Sequence, residues 1–141
     1  MFSVQVTHEA RGAVFVLRGE LDFESVVQLQ EASAQELAGS RDTGPVVADC
    51  THLTFCDSSG IGALLRLFQG LAAQQRVLRV AAVPGPVARL LSLTGLDQVF
   101  GVYADVEQAL AVDNARGDIA RGDLADAGPD GPARPKERQN I

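Results

Sequence analysis

Val46-Val47-Ala48-Asp49-Cys50, followed by Asp57-Ser58-Ser59-Gly60-Ile61-Gly62-Ala63-Leu64-Leu65, is the stretch whose reading decides the fold. The first part is short, β-branched and nearly continuous in apolar character, as a strand inside a covered sheet should be. After the serines, Ile61, Leu64, Leu65, Phe68, Leu71 and Ala72 recur at steps of three and four. That spacing predicts a helix from Ser59 to about Gln74 with its apolar stripe in the core. The serines then stand at a helix N-terminus, where free backbone N–H groups and the helix dipole favour negative charge. A hydroxyl placed there accepts a phosphoryl group without disrupting the fold, and the added charge rewrites the surface around it. A plainer reading stands beside this one, because serine is also among the preferred N-cap residues. Two serines occupy the turn where one would cap, and Gly60 and Gly62 fall in the first helical turn. Glycine there costs about 1 kcal/mol relative to alanine, so the pattern expects something to approach the backbone closely.

Working outward, Phe2, Val4 and Val6 alternate with Ser3 and Gln5, a period-two strand. Ala10-Arg11-Gly12 reads as a turn and Val14–Leu17 as a second strand, antiparallel to the first. Gly19-Glu20-Leu21-Asp22 breaks the pattern, and Ser25 is the expected cap of a helix running to about Leu37. Downstream, Val77–Val83 forms a fourth strand stopped by Pro84-Gly85, and Pro86 suits the first turn of the next helix. Thr94-Gly95 closes that helix, Val99–Tyr103 supplies a fifth strand, and Asp105 caps a last helix carrying Val106, Ala109, Leu110 and Val112. Strands three to five alternate with helices, which implies a parallel sheet with right-handed crossovers. The expected fold is therefore α/β, a mixed, mostly parallel sheet of about five strands with a leading antiparallel hairpin and about four helices, over residues 1–112. From Asp113 the chain turns polar and rich in Gly and Pro, with few large apolar side chains. Such a segment buries too little surface to offset its ordering entropy, so 113–141 is expected to be a disordered tail.

Composition narrows the function. At 141 residues the chain suits one domain with a core. Its net charge of −6 argues against nucleic acid as a direct partner, since no excess of cations exists to neutralise phosphates. No apolar run approaches the roughly 18 residues that span a bilayer, and Met1-Phe2-Ser3-Val4 lacks a signal peptide's charged and apolar regions. Together these predict a cytoplasmic protein with no membrane partner. Cys50 and Cys56 have neither zinc-ligand nor redox-motif spacing, and His52 between them is a poor third ligand, so both read as inert small hydrophobes. No metal site, no cofactor and no catalytic residue is assigned, and without a Walker motif no strong nucleotide site is expected. A hydrolase using Ser58 or Ser59 would need a nearby base. His8 and His52 are isolated in sequence, and the GxSxG elbow is absent.

The Gly19-Glu20-Leu21-Asp22 turn, the segment Phe55-Cys56-Asp57-Ser58-Ser59-Gly60-Ile61-Gly62, and Leu93-Thr94-Gly95-Leu96, set in this order of elements, resemble the STAS-domain anti-sigma factor antagonists of bacteria. The similarity covers roughly residues 2–112. It implies a STAS fold and a phosphoprotein that regulates transcription by partner-switching, not an enzyme. In the family, the unphosphorylated antagonist binds an anti-sigma factor serine kinase and thereby releases a sigma factor. The kinase ends that binding by phosphorylating a serine of the motif, and a PP2C-type phosphatase restores it. The resemblance assigns Ser58 as the phosphoacceptor, and Asp22, Asp57, Ser58, Ser59, Gly60 and Gly62 to partner binding, with the free protein a monomer. Asp22 and Asp57 read equally as turn residues that bond their own backbone. On the second helix, partner contacts fall to the first turn or to the polar edge at Arg66. An alternative within the fold is a regulatory subunit of another assembly, such as a stress-signalling complex, lipid transport or small-molecule sensing.

Overall fold

The computed structural model describes residues 1–39 and 44–112. Five strands, β1 (Ser3–Glu9), β2 (Gly12–Leu21), β3 (Val46–Cys56), β4 (Leu78–Ala81) and β5 (Gly101–Tyr103), form one sheet in chain order. β1 and β2 pair antiparallel from Ser3↔Arg18 to Glu9↔Gly12, and the remaining pairs are parallel. The helices are α1 (Val26–Gly39), α2 (Ser58–Ala72), α3 (Gly85–Thr94) and α4 (Val106–Ala111), with a 3-10 turn at Leu96–Gln98. Strands laid down in consecutive order with like-handed crossovers carry their connecting helices on one face. Accordingly Leu29 of α1, Leu64, Leu67 and Leu71 of α2, and Val87 and Leu91 of α3 share a core with Phe15, Leu17, Ala48, Cys50, Leu78 and Val80. On the other face, Ala109 and Leu110 of α4 cover Val14, Val47 and Ala81. The expected mixed α/β architecture, mostly parallel with a leading antiparallel hairpin, is what the structure has.

Element ends differ from the expectation where tertiary contacts override local pattern. β2 does not stop at Leu17 but continues through Gly19 to Leu21, with register shifts between Val16 and Arg18 and between Gly19 and Glu20. Gly19 adopts a φ of 90°, and a side chain there would collide with the Met1 carbonyl, so glycine is what lets the strand pass. β3 likewise runs on to Cys56; of its exposed residues His52 and Phe55 pair with Arg18 and Glu20 of β2, while Thr51 and Thr54 fall at the register shifts. β4 is shorter than expected because Ala82, at φ 56°, turns the backbone out of the strand. β5 starts at Gly101, since the Val99 N–H closes the preceding 3-10 turn on Leu96. Gly95 ends α3 in the left-handed conformation expected of it. The tail expected at 113–141 lies outside the described residues. Among the described residues no helix is long and apolar enough to cross a membrane.

A buried ionic network closes the end of the sheet where the parallel strands begin. Arg76 donates from Nη2 to Glu36 Oε2 at 2.9 Å and from Nε to the Gly44 carbonyl at 2.9 Å. His8 Nε2 lies 2.8 Å from Glu36 Oε1. Glu36 and Arg76 are both buried. Burial alone would push the Glu36 carboxyl up, but the hydrogen bonds from Arg76 and His8 outweigh it and hold the group below its ordinary value.

Candidate functional site at the second helix N-terminus

Asp57 decides the geometry here. Its backbone is extended (φ −103°, ψ −172°), its carboxylate accepts from the Gly60 N–H at 3.1 Å, and its carbonyl accepts from Ile61 N–H at 3.0 Å. That makes Asp57 the N-cap, so α2 begins at Ser58 rather than Ser59. The expectation that a serine caps this helix is corrected, for a physical reason. The aspartate one residue earlier already satisfies the N3 donor. Ser58 is consequently exposed in the first helical position, and no hydrogen bond engages its hydroxyl among the described residues. Ser59 is half-buried behind it.

Asp22 comes to the same end of the sheet because β2 and β3 finish side by side. Leu21 pairs with Cys56, and the Asp57 N–H donates to the Leu21 carbonyl at 3.2 Å. Asp22 and Asp57 thus follow adjacent strand ends, which lie about 4.8 Å apart. Ser25 was expected to cap α1; instead Asp22 Oδ1 accepts from the N–H groups of Glu24 (3.1 Å) and Ser25 (3.0 Å), and its carbonyl accepts from Val26 N–H. Ser25 Oγ accepts from the Asp22 N–H at 2.9 Å and sits 2.8 Å from the Glu20 carbonyl, which locks the turn. The hydrogen bonds from the Ser25 backbone and side chain hold the Asp22 carboxyl below its ordinary range. Both aspartates bond their own backbone, as turn residues do, and both follow the strand ends next to which α2 begins.

The two glycines part company. Gly60 is buried, and a Cβ there would stand 2.8 Å from Cys56 Sγ and 2.8 Å from Leu21 Cγ. The close approach expected at this glycine is therefore, in the free protein, the protein's own β2–β3 floor. Gly62 is partly exposed, with only Arg66 Nη1 near its missing side chain, at 3.6 Å. Gly60→Ala is expected to cost about 1–3 kcal/mol through overpacking, whereas Gly62→Ala gains up to about 1 kcal/mol of helix propensity. Urea titration of the two variants against the wild type checks the contrast, and equal midpoints for both would overturn the assignment.

Burial pushes the thiols of Cys50 and Cys56 up to about 12, so both stay protonated. Sequence reasoning missed Phe23, whose exposure is 78%, next to Asp22, and Phe55, half-exposed two residues before Asp57. The available signal was an aromatic side chain outside the apolar periodicity of its element.

The chain matches the STAS domain over residues 2–109. The anti-sigma F factor antagonist of Paenibacillus polymyxa is 30% identical over 112 residues, covering 77% of this chain and 93% of that protein. An anti-sigma factor antagonist from Mycobacterium paratuberculosis superimposes with a TM-score of 0.70 at 26% identity, over 78% of this chain and 92% of that one. The anti-sigma factor antagonist SpoIIAA in its unphosphorylated form gives a TM-score of 0.68 at 26% identity, over 84% of this chain and all 100% of that one. With the motif seated at the mouth of α2 and the sheet order above, the chain belongs to the STAS-domain family of anti-sigma factor antagonists.

Proposed function

We propose that this protein is a partner-switching antagonist whose state is written on Ser58. In the unmodified form it binds an anti-sigma factor serine kinase through the end of the sheet that carries Asp22, Asp57, Ser58, Ser59, Gly60 and Gly62, and a sigma factor is released. Transfer of a phosphoryl group to Ser58 ends that binding, and a PP2C-type phosphatase resets it. The protein works as a cytoplasmic binding module of residues 1–112, monomeric when free, and performs no chemistry of its own. One observation carries the reading: Asp57 takes over the capping duty, which leaves an exposed hydroxyl with no structural task at a helix start. A serine nucleophile would need a base beside it, and His8 is occupied with Glu36 instead.

Incubation with a purified anti-sigma factor serine kinase and ATP, followed by mass spectrometric mapping, tests the assignment. A single phosphoryl group on Ser58, absent from Ser58→Ala, is the expected result. Modification confined to another residue would refute it.

A further inference from the structure

α2 carries one charged residue, Arg66, and it stands on the stripe that starts at Ser58. Residues 58, 62 and 66 follow one another at steps of four, which stacks them along one line of the helix. The residue between the serine and the arginine is Gly62, so no side chain blocks the interval. Arg66 lies back along that line, as helical side chains lean toward the N-terminus, and its Nη1 reaches to 3.6 Å from where a Gly62 Cβ would stand. The guanidinium is exposed and forms no ion pair or hydrogen bond among the described residues. From the Gly62 position to the Ser58 Cβ is one further turn, about 5–6 Å. A phosphoryl group on Ser58 would therefore stand about one helical turn from the guanidinium, inside the Debye length of about 8–10 Å.

We propose that Arg66 is the built-in counter-ion of phosphorylated Ser58. The inference rests on the reading of Ser58 as the phosphoacceptor and adds a second arm to the switch. Modification brings negative charge to the docking end, and the same event ties up the cation that α2 otherwise offers a partner. Arginine suits this role because it stays charged at all working pH values and presents several donors to phosphate oxygens.

The test uses full-length protein with phosphoserine incorporated genetically at position 58, so it does not depend on any kinase. Phosphorus NMR across pH gives the midpoint of the second phosphate ionisation. A cation at this distance favours the dianion, so the wild-type midpoint is expected about 0.3–1 pH unit below that of Arg66→Gln. Arg66→Lys should recover part of the difference, and Arg89→Gln on α3 should leave the midpoint where it is. Equal midpoints in wild type and Arg66→Gln would overturn the proposal, as would an equal displacement in Arg89→Gln, which would mark a general field effect. Either result leaves the kinase mapping of Ser58 untouched, so the two ideas fail separately.

Discussion

Ser58→Asp is expected to bind the anti-sigma factor kinase at least about a hundredfold more weakly than the wild type, while Ser58→Ala binds normally and resists inactivation. The reasoning begins with charge. A phosphoserine carries about −1.5 to −2 at pH 7, and an aspartate supplies part of that at the same place. The change occurs on an exposed residue directly after the Asp57 cap, at the sheet end that also carries the ionised Asp22. A partner surface matched to a neutral hydroxyl then meets a like charge or an unmatched one, which costs several kcal/mol. Each 1.4 kcal/mol is about tenfold in affinity. The scaffold should not suffer. An anion in the first turn of a helix is favoured by the dipole, typically by about 0.3–1 kcal/mol, so the melting temperature of Ser58→Asp should hold or rise slightly. Titration calorimetry with the kinase, read beside thermal unfolding of the free variants, separates lost recognition from lost folding. Undiminished affinity of Ser58→Asp would show the charge mechanism to be wrong.

Much of the fold was legible because its elements carry their own periodicity. The stripe from Ile61 to Leu71 and the apolar run Val46–Cys50 each point to one element type, and their alternation fixes the layer arrangement. What escaped was pairing beyond the pattern. Thr51, His52 and Thr54 look like loop residues, yet the strand runs through them, since β2 pairs with His52, Leu53, Phe55 and Cys56 and the two threonines fall at the register shifts between those pairs. The candidate site was legible as a place but not in its division of labour. Ser58, Asp57 and Gly60 lie together in sequence, so any fold brings them together. That Asp57 caps, that Gly60 faces Leu21 and Cys56, and that Asp22 caps the turn of α1 depend on distances of about an ångström, which residue types alone do not encode. Glu36 and Arg76 escaped for a third reason. They are 40 residues apart, and an isolated charge on a helix ordinarily reads as solvated.

Glu36→Ala is therefore expected to cost about 3–5 kcal/mol of stability. Against a total of about 5–15 kcal/mol for a domain of this kind, that is a large fraction. The cost comes from stranding Arg76, whose side chain is 1% exposed, with its remaining bond to the Gly44 carbonyl. A double replacement, Glu36→Leu with Arg76→Met, should recover much of the loss, because burying the pair is itself expensive and an apolar pair avoids that expense. His8→Ala should cost far less, since the imidazole is half-exposed and keeps water as an alternative partner. The pH dependence has a definite sign. The folded-state value of Glu36 is depressed from 4.5. Its contribution is thus fully present above the unfolded value and is lost as pH falls through the lower folded value. Urea midpoints measured from pH 7 downward should fall more steeply across that window in the wild type than in Glu36→Gln, which has no carboxyl to protonate. Parallel curves would mean that the network is not the acid-sensitive element. The network ties α1 to the segments entering β3 and β4, at the sheet end away from Ser58, so the surviving folded fraction of Glu36→Gln should bind a partner with wild-type affinity. Stability and switching then answer to different residues, and each can be altered without the other.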